Sequence, residues 1–291
     1  MHYTCSKCGL QTDVVEDKSM TEKLCEHCEM PIAKTPQIYN QSFPTPLRRK
    51  ISWAILIIIG FISIDIIGVL MGLLLPSIQG AREANRRATC INHQMQISLA
   101  LLSYESEKGH FPPAYITDKD GKPMHSWRIL ILPYLDKKDL YDQYDFNESW
   151  DGPHNRKLAD KMPDVFRCPS NTNSPNYTAY AMLVGPHAFS PGPMGRTYKE
   201  ISHADGASTT LMLVEATKAK INWLEPRDLN AEEMSFIINK SGKEISSNHP
   251  SGAVVSFCDG HTTFLRANIK PETLKALTTV DGHEPLDEGD F

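Results

Sequence analysis

Residues 51–75 read ISWAILIIIGFISIDIIGVLMGLLL, a run of 25 residues with one charged side chain, Asp65. As an α-helix this run would be about 37 Å long, enough to cross a bilayer with some tilt. The whole chain is 41% apolar and 22% charged, an ordinary composition for a globular protein. The apolar run is therefore a local feature, and it predicts a transmembrane helix over 51–75.

The helical pattern continues beyond the apolar run, through 76–109. Apolar or small residues recur there at spacings of three and four, which mark one face of an α-helix. These residues are Ile78, Ala81, Ala84, Ala88, Ile91, Met95, Leu99 and Leu102. The sequence thus predicts one long helix, with a transmembrane part and then an amphipathic stem whose apolar face packs on a globular domain.

The N-terminal segment 1–32 carries two CxxC pairs, Cys5/Cys8 and Cys25/Cys28, separated by 16 residues. Two such pairs supply four thiolates in a tetrahedron, which suits a structural Zn²⁺ with no open coordination position. The alternatives are two disulfides or a redox pair, although no βαβ pattern surrounds either motif. We expect a small zinc-ribbon-like module that depends on its metal for folding.

Residues 33–50 form a proline-containing linker that ends in three basic residues, 48–50, directly before the apolar run. Basic residues at this position favour a cytoplasmic N-terminus. Four reduced cysteines on that side agree with this orientation. We therefore predict a single-pass signal-anchor with the zinc module inside and the C-terminal domain outside the cytoplasm. The net charge of −5 gives no case for nucleic-acid binding.

The segment 110–291 predicts an α+β domain. Phe111-Pro112-Pro113 ends the long helix, and strands are predicted at 177–183, 209–215, 252–258 and 261–266. Asp259-Gly260 between the last two strands is a strong hairpin signal. The expected fold is one helix lying across an antiparallel sheet with long loops.

Several motifs occur in an order that resembles the DUF1559 family of type IV pilin-like, or pseudopilin-like, bacterial proteins. They run from the helix segment 65–87, with its LLLPSIQ and AREANRR portions, through Gly109-His110-Phe111-Pro112-Pro113, Ser126-Trp127-Arg128, Cys168-Pro169-Ser170 and Asp205-Gly206, to His249 and Asp259-Gly260 in an H-x9-DG arrangement. The resemblance covers roughly 66–285. It implies a pilin-like domain on the stem helix and a structural or interaction role in a secretion or pilus-like assembly.

The resemblance also implies partners, namely membrane lipid and either further copies of this chain or other pilin-like membrane proteins. Prepilins carry a short basic leader, a Gly-Phe cleavage site and a glutamate at the fifth mature position. Here only Gly60-Phe61 with Asp65 comes near that pattern, so we expect an uncleaved anchor. Asp65 is either a determinant of helix–helix assembly or a tolerated polar residue within the membrane.

Cys90 on the helix and Cys168 in the Cys-Pro-Ser loop are a candidate disulfide outside the cytoplasm, the alternative being unpaired buried thiols. His249 and Asp259 are a candidate pair for metal binding or acid–base chemistry, with Glu215, Asp205, Asp228 and His261 as further members. The alternative is that both residues shape turns. The family resemblance also allows a Ca²⁺ site, although the acids lack a regular loop spacing.

No nucleophile, phosphate-loop or metalloprotease motif occurs in the sequence, so we do not expect an enzyme. The main alternative to an assembly role is a membrane-tethered sensor, in which an exported ligand-binding domain is linked to a cytoplasmic zinc ribbon. A surface hydrolase that uses His249 and Asp259 is a third hypothesis.

Overall fold

The structure is a computed structural model that describes residues 2–4, 7–9, 11–13, 52–171 and 175–284. The chain divides into two compact units, Met1–Ile67 and Gly68–Phe291. In the first unit, strands β1 (His2–Thr4) and β2 (Gln11–Asp13) pair antiparallel. A turn that contains Cys8 lies between them.

Helix α1 runs from Trp53 to Lys108 and therefore contains both the predicted transmembrane part and the predicted stem. Among the described residues it is the one helix long and apolar enough to cross a membrane, and its most apolar window is unburied. Gly109 ends the helix in the left-handed conformation that glycine adopts without strain, with φ +79°. Pro112 and Pro113 follow, and neither can continue a helix.

The second unit contains the other strands and short helices. The strands are β3 (Tyr115–Thr117), β4 (Pro123–Ser126), β5 (Tyr177–Thr178), β6 (Tyr180–Val184), β7 (Leu211–Glu215), β8 (Ile221–Asn222), β9 (Leu229–Asn230), β10 (Gly252–Phe257) and β11 (Thr262–Arg266). The helices are α2 (Trp127–Leu130), α3 (Lys138–Tyr141), α4 (Tyr198–His203) and α5 (Pro271–Thr278).

Five strands form the main sheet in the order β11-β10-β7-β6-β9. All neighbouring pairs are antiparallel except β6 and β9, which are parallel. The hairpin β10–β11 turns at Asp259-Gly260, where Gly260 has φ +93°, so the predicted hairpin is confirmed. The predicted strand 177–183 is divided in two, because β5 pairs with β8 while β6 joins the main sheet.

Successive residues of the central strands point to opposite faces of the sheet. Val254 belongs to the core that contains Ile97 and Leu101 of α1. Ala253 and Val255 belong to a second core that contains residues of α5. The sheet is therefore covered on both faces, with α1 on one side and α5 on the other.

The predicted apolar stripe of the stem is confirmed at Ile91 and Leu102, which pack against the core, but at Met95 and Leu99 it is wrong by about one residue. Met95 and Leu99 are 40% and 55% exposed, whereas Cys90, Ile97 and Leu101 are fully buried. Polar side chains lie on the buried face as well, because Gln94 donates from Nε2 to the Val254 carbonyl at 2.8 Å and accepts from Ser256 Oγ at 2.8 Å. An assignment from apolar residues alone could not include these polar contacts, so it selected the neighbouring face.

A buried ion pair fixes α2 on the sheet. Arg128 donates from Nη2 to Asp228 Oδ1 at 2.7 Å and to the Tyr180 carbonyl at 2.9 Å. Asp228 also accepts from the Met182 amide at 2.8 Å. Both charged side chains are almost completely buried, and these hydrogen bonds offset part of the desolvation cost.

Candidate functional site

The candidate site is a cluster of polar and sulfur-containing side chains around His249, which lies in the loop before β10. Three parts of the chain meet there: α1, the Cys-Pro-Ser loop and the end of β7. We call it the His249 cluster, and it consists of Glu83, Cys90, Cys168, Ser170, Glu215 and His249.

Both ring nitrogens of His249, which is 2% exposed, have partners in the cluster. Nδ1 bonds the carboxylate of Glu83 on α1 and lies 3.4 Å from Ser170 Oγ. Nε2 lies 3.3 Å from Cys168 Sγ and 3.7 Å from Glu215 Oε1. Because a carboxylate only accepts hydrogen bonds, Nδ1 carries the proton, and in the neutral ring the lone pair of Nε2 faces the sulfur and Glu215.

A disulfide joins Cys90 of α1 to Cys168 of the Cys-Pro-Ser loop, with the two Cα atoms 5.4 Å apart. Both cysteines are buried. The disulfide links residues 78 positions apart, and the chain-entropy model gives a stabilisation of about 4.5 kcal/mol for a loop of this length. The disulfide therefore fixes the loop on the helix next to His249.

Glu215 is the last residue of the central strand β7 and is fully buried. Its Oε2 accepts from the Val254 amide at 2.7 Å. Its Oε1 has no hydrogen-bond partner within the part of the chain that the structure describes. Burial raises the pKa of Glu215 to about 7, although hydrogen bonds from Ser247 and Val254 act in the opposite direction.

Glu83 connects the cluster to the more exposed side of α1. Arg86 donates to its carboxylate from Nη2 at 2.6 Å and from Nε at 2.8 Å. Burial acts to raise the pKa of Glu83, but the hydrogen bonds from His249 and Arg86 lower it on balance. Glu83 therefore stays a carboxylate and holds the ring of His249 in one orientation.

The four donor atoms of Cys90, Cys168, Glu215 and His249 all lie within 4.8 Å of one another. Thiolate, imidazole and carboxylate are the protein ligands of zinc and related cations. The cluster thus has the composition of a metal site, although its cysteines form a disulfide in this structure.

The H-x9-DG motif does not assemble as one site, because its histidine and its aspartate have different hydrogen-bond partners. Asp259 accepts from Nδ1 of His261 at 2.6 Å in the β10–β11 turn. Of the further members predicted for the pair, only Glu215 lies beside His249. Asp228 bonds Arg128, and Asp205 accepts from the amides of residues 282 and 283 at 2.7 and 2.8 Å.

An open cleft of about 770 Å³ lies along α1, and its lining includes His93, Gln96, Tyr134 and Lys161. His249 is not among the residues that line this cleft. His249 is itself only 2% exposed, whereas the Glu83 side chain at the edge of the cluster is 22% exposed, and the hydrolase hypothesis stays a prediction.

Three of the four predicted zinc ligands, Cys5, Cys25 and Cys28, lie outside the described residues. The fourth, Cys8, is exposed in the turn between β1 and β2. Asp65 lies on the exposed, apolar part of α1. Asp205 and Asp259 accept hydrogen bonds from protein groups, and the Ca²⁺ site that the family resemblance allows stays a prediction.

Sequence reasoning missed that the candidate disulfide and the motif histidine belong to the same cluster. Each was identified separately, because contacts between residues about 80 positions apart leave no periodic signal. Glu83 lies within the AREANRR part of the helix motif, which carries no signal for a contact with His249. A buried-site role for it was not predicted.

The fold defines a class of protein, an α+β domain built on a long helix whose N-terminal half is apolar enough to cross a membrane. Residues 79–210 match the family model described as "Protein of unknown function (DUF1559)", the family that the ordered motifs resemble. Comparisons with curated proteins and with solved structures find no match.

Proposed function

We propose that this protein is a single-pass, membrane-anchored, pseudopilin-like protein with a structural or interaction role in a secretion or pilus-like assembly. The observation that carries the proposal is the exposed apolar surface of α1. Its large apolar side chains from Trp53 to Met71 are all exposed, as are Ile78, Met95 and Leu99 farther along. Apolar surface of this extent requires lipid or partner helices to cover it.

Because α1 is much longer than a bilayer is thick, its exposed apolar surface needs two different kinds of partner. The apolar segment 51–75 has the length of a bilayer core. The exposed residues Met95 and Leu99 lie about 30 Å or more beyond the end of that segment by helical rise, outside the hydrocarbon region. In the proposed assembly, lipid covers the first part, and stem helices of neighbouring copies or of related proteins pack on the second.

The proposed orientation places the N-terminal segment in the cytoplasm and the α+β domain outside. The basic residues 48–50 support the first part of this statement. The Cys90–Cys168 disulfide supports the second, because disulfides persist in oxidising compartments. We further propose that Cys5, Cys8, Cys25 and Cys28 hold a structural Zn²⁺ in the cytoplasmic module, on the basis of their spacing.

Crosslinking of the full chain in membranes tests the assembly. We expect Met95→Lys with Leu99→Lys to reduce crosslinked dimers and higher species several-fold, because two charges must then be desolvated at the helix contact. The matched control is Ser208→Lys with Asn268→Lys, which adds the same charges at exposed polar positions of the α+β domain outside α1, since other exposed positions such as 92 and 96 share the helix face of Met95 and Leu99. Asp65→Asn, compared with Ser63→Ala, tests the role of the acid within the membrane.

Equal crosslinking of the stripe variant and its control would contradict assembly through the stem. Unchanged crosslinking of Asp65→Asn would remove Asp65 from the proposal while leaving the stem contact in place. Retention of the disulfide in each variant, measured by the mass of the intact chain, shows that the domain has folded.

A further inference from the structure

We propose that Cys90, Cys168, Glu215 and His249 form a second metal site, for Zn²⁺ or a cation of similar softness, when the two cysteines are reduced. The disulfide and the metal are then alternative states of one buried site. This site is distinct from the four N-terminal cysteines and does not depend on the proposed assembly.

The ligand geometry supports a four-coordinate centre. In a tetrahedral zinc site with sulfur, nitrogen and oxygen ligands, neighbouring donor atoms are roughly 3.3–3.8 Å apart. Here all four donor atoms already lie within 4.8 Å of one another, and Nε2 of His249 is 3.3 Å from Cys168 Sγ and 3.7 Å from Glu215 Oε1. In the reduced state the two sulfurs are no longer bonded to each other, and they must move apart to the donor spacing of a tetrahedral site.

The unpartnered oxygen of Glu215 is an independent observation that indicates a ligand. Oε1 is buried, without a hydrogen-bond partner in the described chain, and lies on the side of Glu215 that faces His249. An unsatisfied buried polar atom is destabilising, so a native structure seldom keeps one without a reason. A bound cation would satisfy this oxygen directly.

A metal-ligating histidine usually has a carboxylate or carbonyl bonded to its other ring nitrogen, and His249 has such a partner. The Glu83 carboxylate binds Nδ1, which fixes the tautomer and directs the lone pair of Nε2 towards the other three donors. Arg86 in turn holds Glu83 through two hydrogen bonds. This carboxylate–histidine arrangement orients the ring before any cation arrives.

Conversion of the disulfide state into the metal state requires a reductant and then a cation. A dithiol reductant gives two electrons and two protons to the Cys90–Cys168 bond, which breaks to two thiols while the reductant forms its own disulfide. Zn²⁺ then binds, and both thiols, together with Glu215 where it carries a proton, release their protons to water. The centre contains two thiolates, one carboxylate, a neutral imidazole and Zn²⁺, with a net charge of −1. Oxidation by a disulfide reverses the sequence and releases the cation.

The test uses the full chain in detergent with the four N-terminal cysteines changed to serine, so that one candidate zinc site remains. A water-soluble phosphine reduces the disulfide, taking oxygen from water to become a phosphine oxide and leaving two thiols. Zinc per chain is then measured after equilibrium dialysis and desalting, for the oxidised and the reduced protein. We expect about one zinc per reduced chain and none per oxidised chain.

Two ligand variants and one control distinguish the site from binding by free thiols. We expect Glu215→Gln and His249→Ala to weaken zinc binding by the reduced chain at least tenfold, although both keep Cys90 and Cys168. Cys258→Ser is the matched control, since Cys258 is also buried but is not part of the cluster, and it should keep one zinc. Co²⁺ should give a thiolate charge-transfer band that Glu215→Gln weakens.

Three results would overturn the proposal. These are a reduced chain without zinc, equal zinc in the oxidised and reduced chains, and zinc binding that Glu215→Gln and His249→Ala leave unchanged. The last result covers a chain that unfolds on reduction, because unfolded cysteines bind zinc without help from Glu215 or His249.

Discussion

His125 is a histidine whose surroundings oppose its protonation. It is 3% exposed, its Nδ1 lies 2.9 Å from the hydroxyl of Tyr144, and its ring packs edge-on against Tyr144 and Phe146. Burial lowers the pKa of His125, and the opposing effects of the Phe146 backbone and of Asp145 are smaller. The folded protein therefore keeps this ring neutral at a pH where the unfolded chain has protonated it.

The sign of the resulting pH effect follows from proton counting. Below about pH 6.5 the unfolded chain binds a proton at His125 that the folded protein does not, so stability falls as the pH falls. We expect the difference in unfolding free energy between the wild type and His125→Gln to shrink between pH 7 and pH 5. Urea unfolding at both pH values measures it. A constant difference would contradict the neutral, buried state, and His154→Gln, at an exposed histidine, is the control.

Single residues also show which features of the site can be predicted from the sequence. The chemical character of Cys90, Cys168 and His249 was recognisable, because each stands in a motif. Their association was not, since it depends on α1, a loop and the sheet meeting at one point. Buried polar partners such as Gln94 and Arg128 carry no hydropathy signal that separates them from surface residues.

At the scale of elements, local sequence signals predicted where α1 ends and where the last hairpin turns. They did not predict how α1 is rotated on the sheet. The end of α1, the β10–β11 hairpin and the α+β class follow from glycine, proline and residue alternation, which act over a few positions. The rotation of α1 about its own axis is set by the sheet on which it packs. Because Gln94 and Ser98 lie on the buried face, apolar residues alone indicated the wrong face.

The contact between α1 and the sheet can be tested at Gln94. Its side chain is fully buried and bonds both Val254 and Ser256 of β10. We expect Gln94→Ala to destabilise the oxidised protein by about 1–3 kcal/mol, since it leaves buried polar groups on the strand without partners. Gln96→Ala, at an exposed position two residues farther along the helix, should change stability by less than about 0.5 kcal/mol. Equal effects in urea unfolding would show that the Gln94 contacts carry no net stability.

At the scale of the whole molecule, the apolar half of α1 should determine where the chain resides. Charged residues in the centre of a membrane helix cost about 2.5–3.5 kcal/mol each on the insertion scale. We expect Ile62→Lys with Val69→Lys to move the chain from alkali-resistant membrane pellets to the soluble or aggregated fraction. The control, Asn92→Lys with Gln96→Lys, should fractionate like the wild type. Retention of the first variant in the pellet would contradict a spanning helix.

The strand order of the main sheet limits where the chain can be truncated. The family match ends at residue 210, and β6 is the only strand of the five-stranded sheet that lies before that point. A fragment cut at the family boundary would carry β6 with both of its hydrogen-bonding edges open, and α1 without the strand to which Gln94 is attached. Open edges of this kind are templates for aggregation. The matched segment thus holds one strand of a five-stranded sheet, and a soluble fragment that includes it should retain the chain through β11.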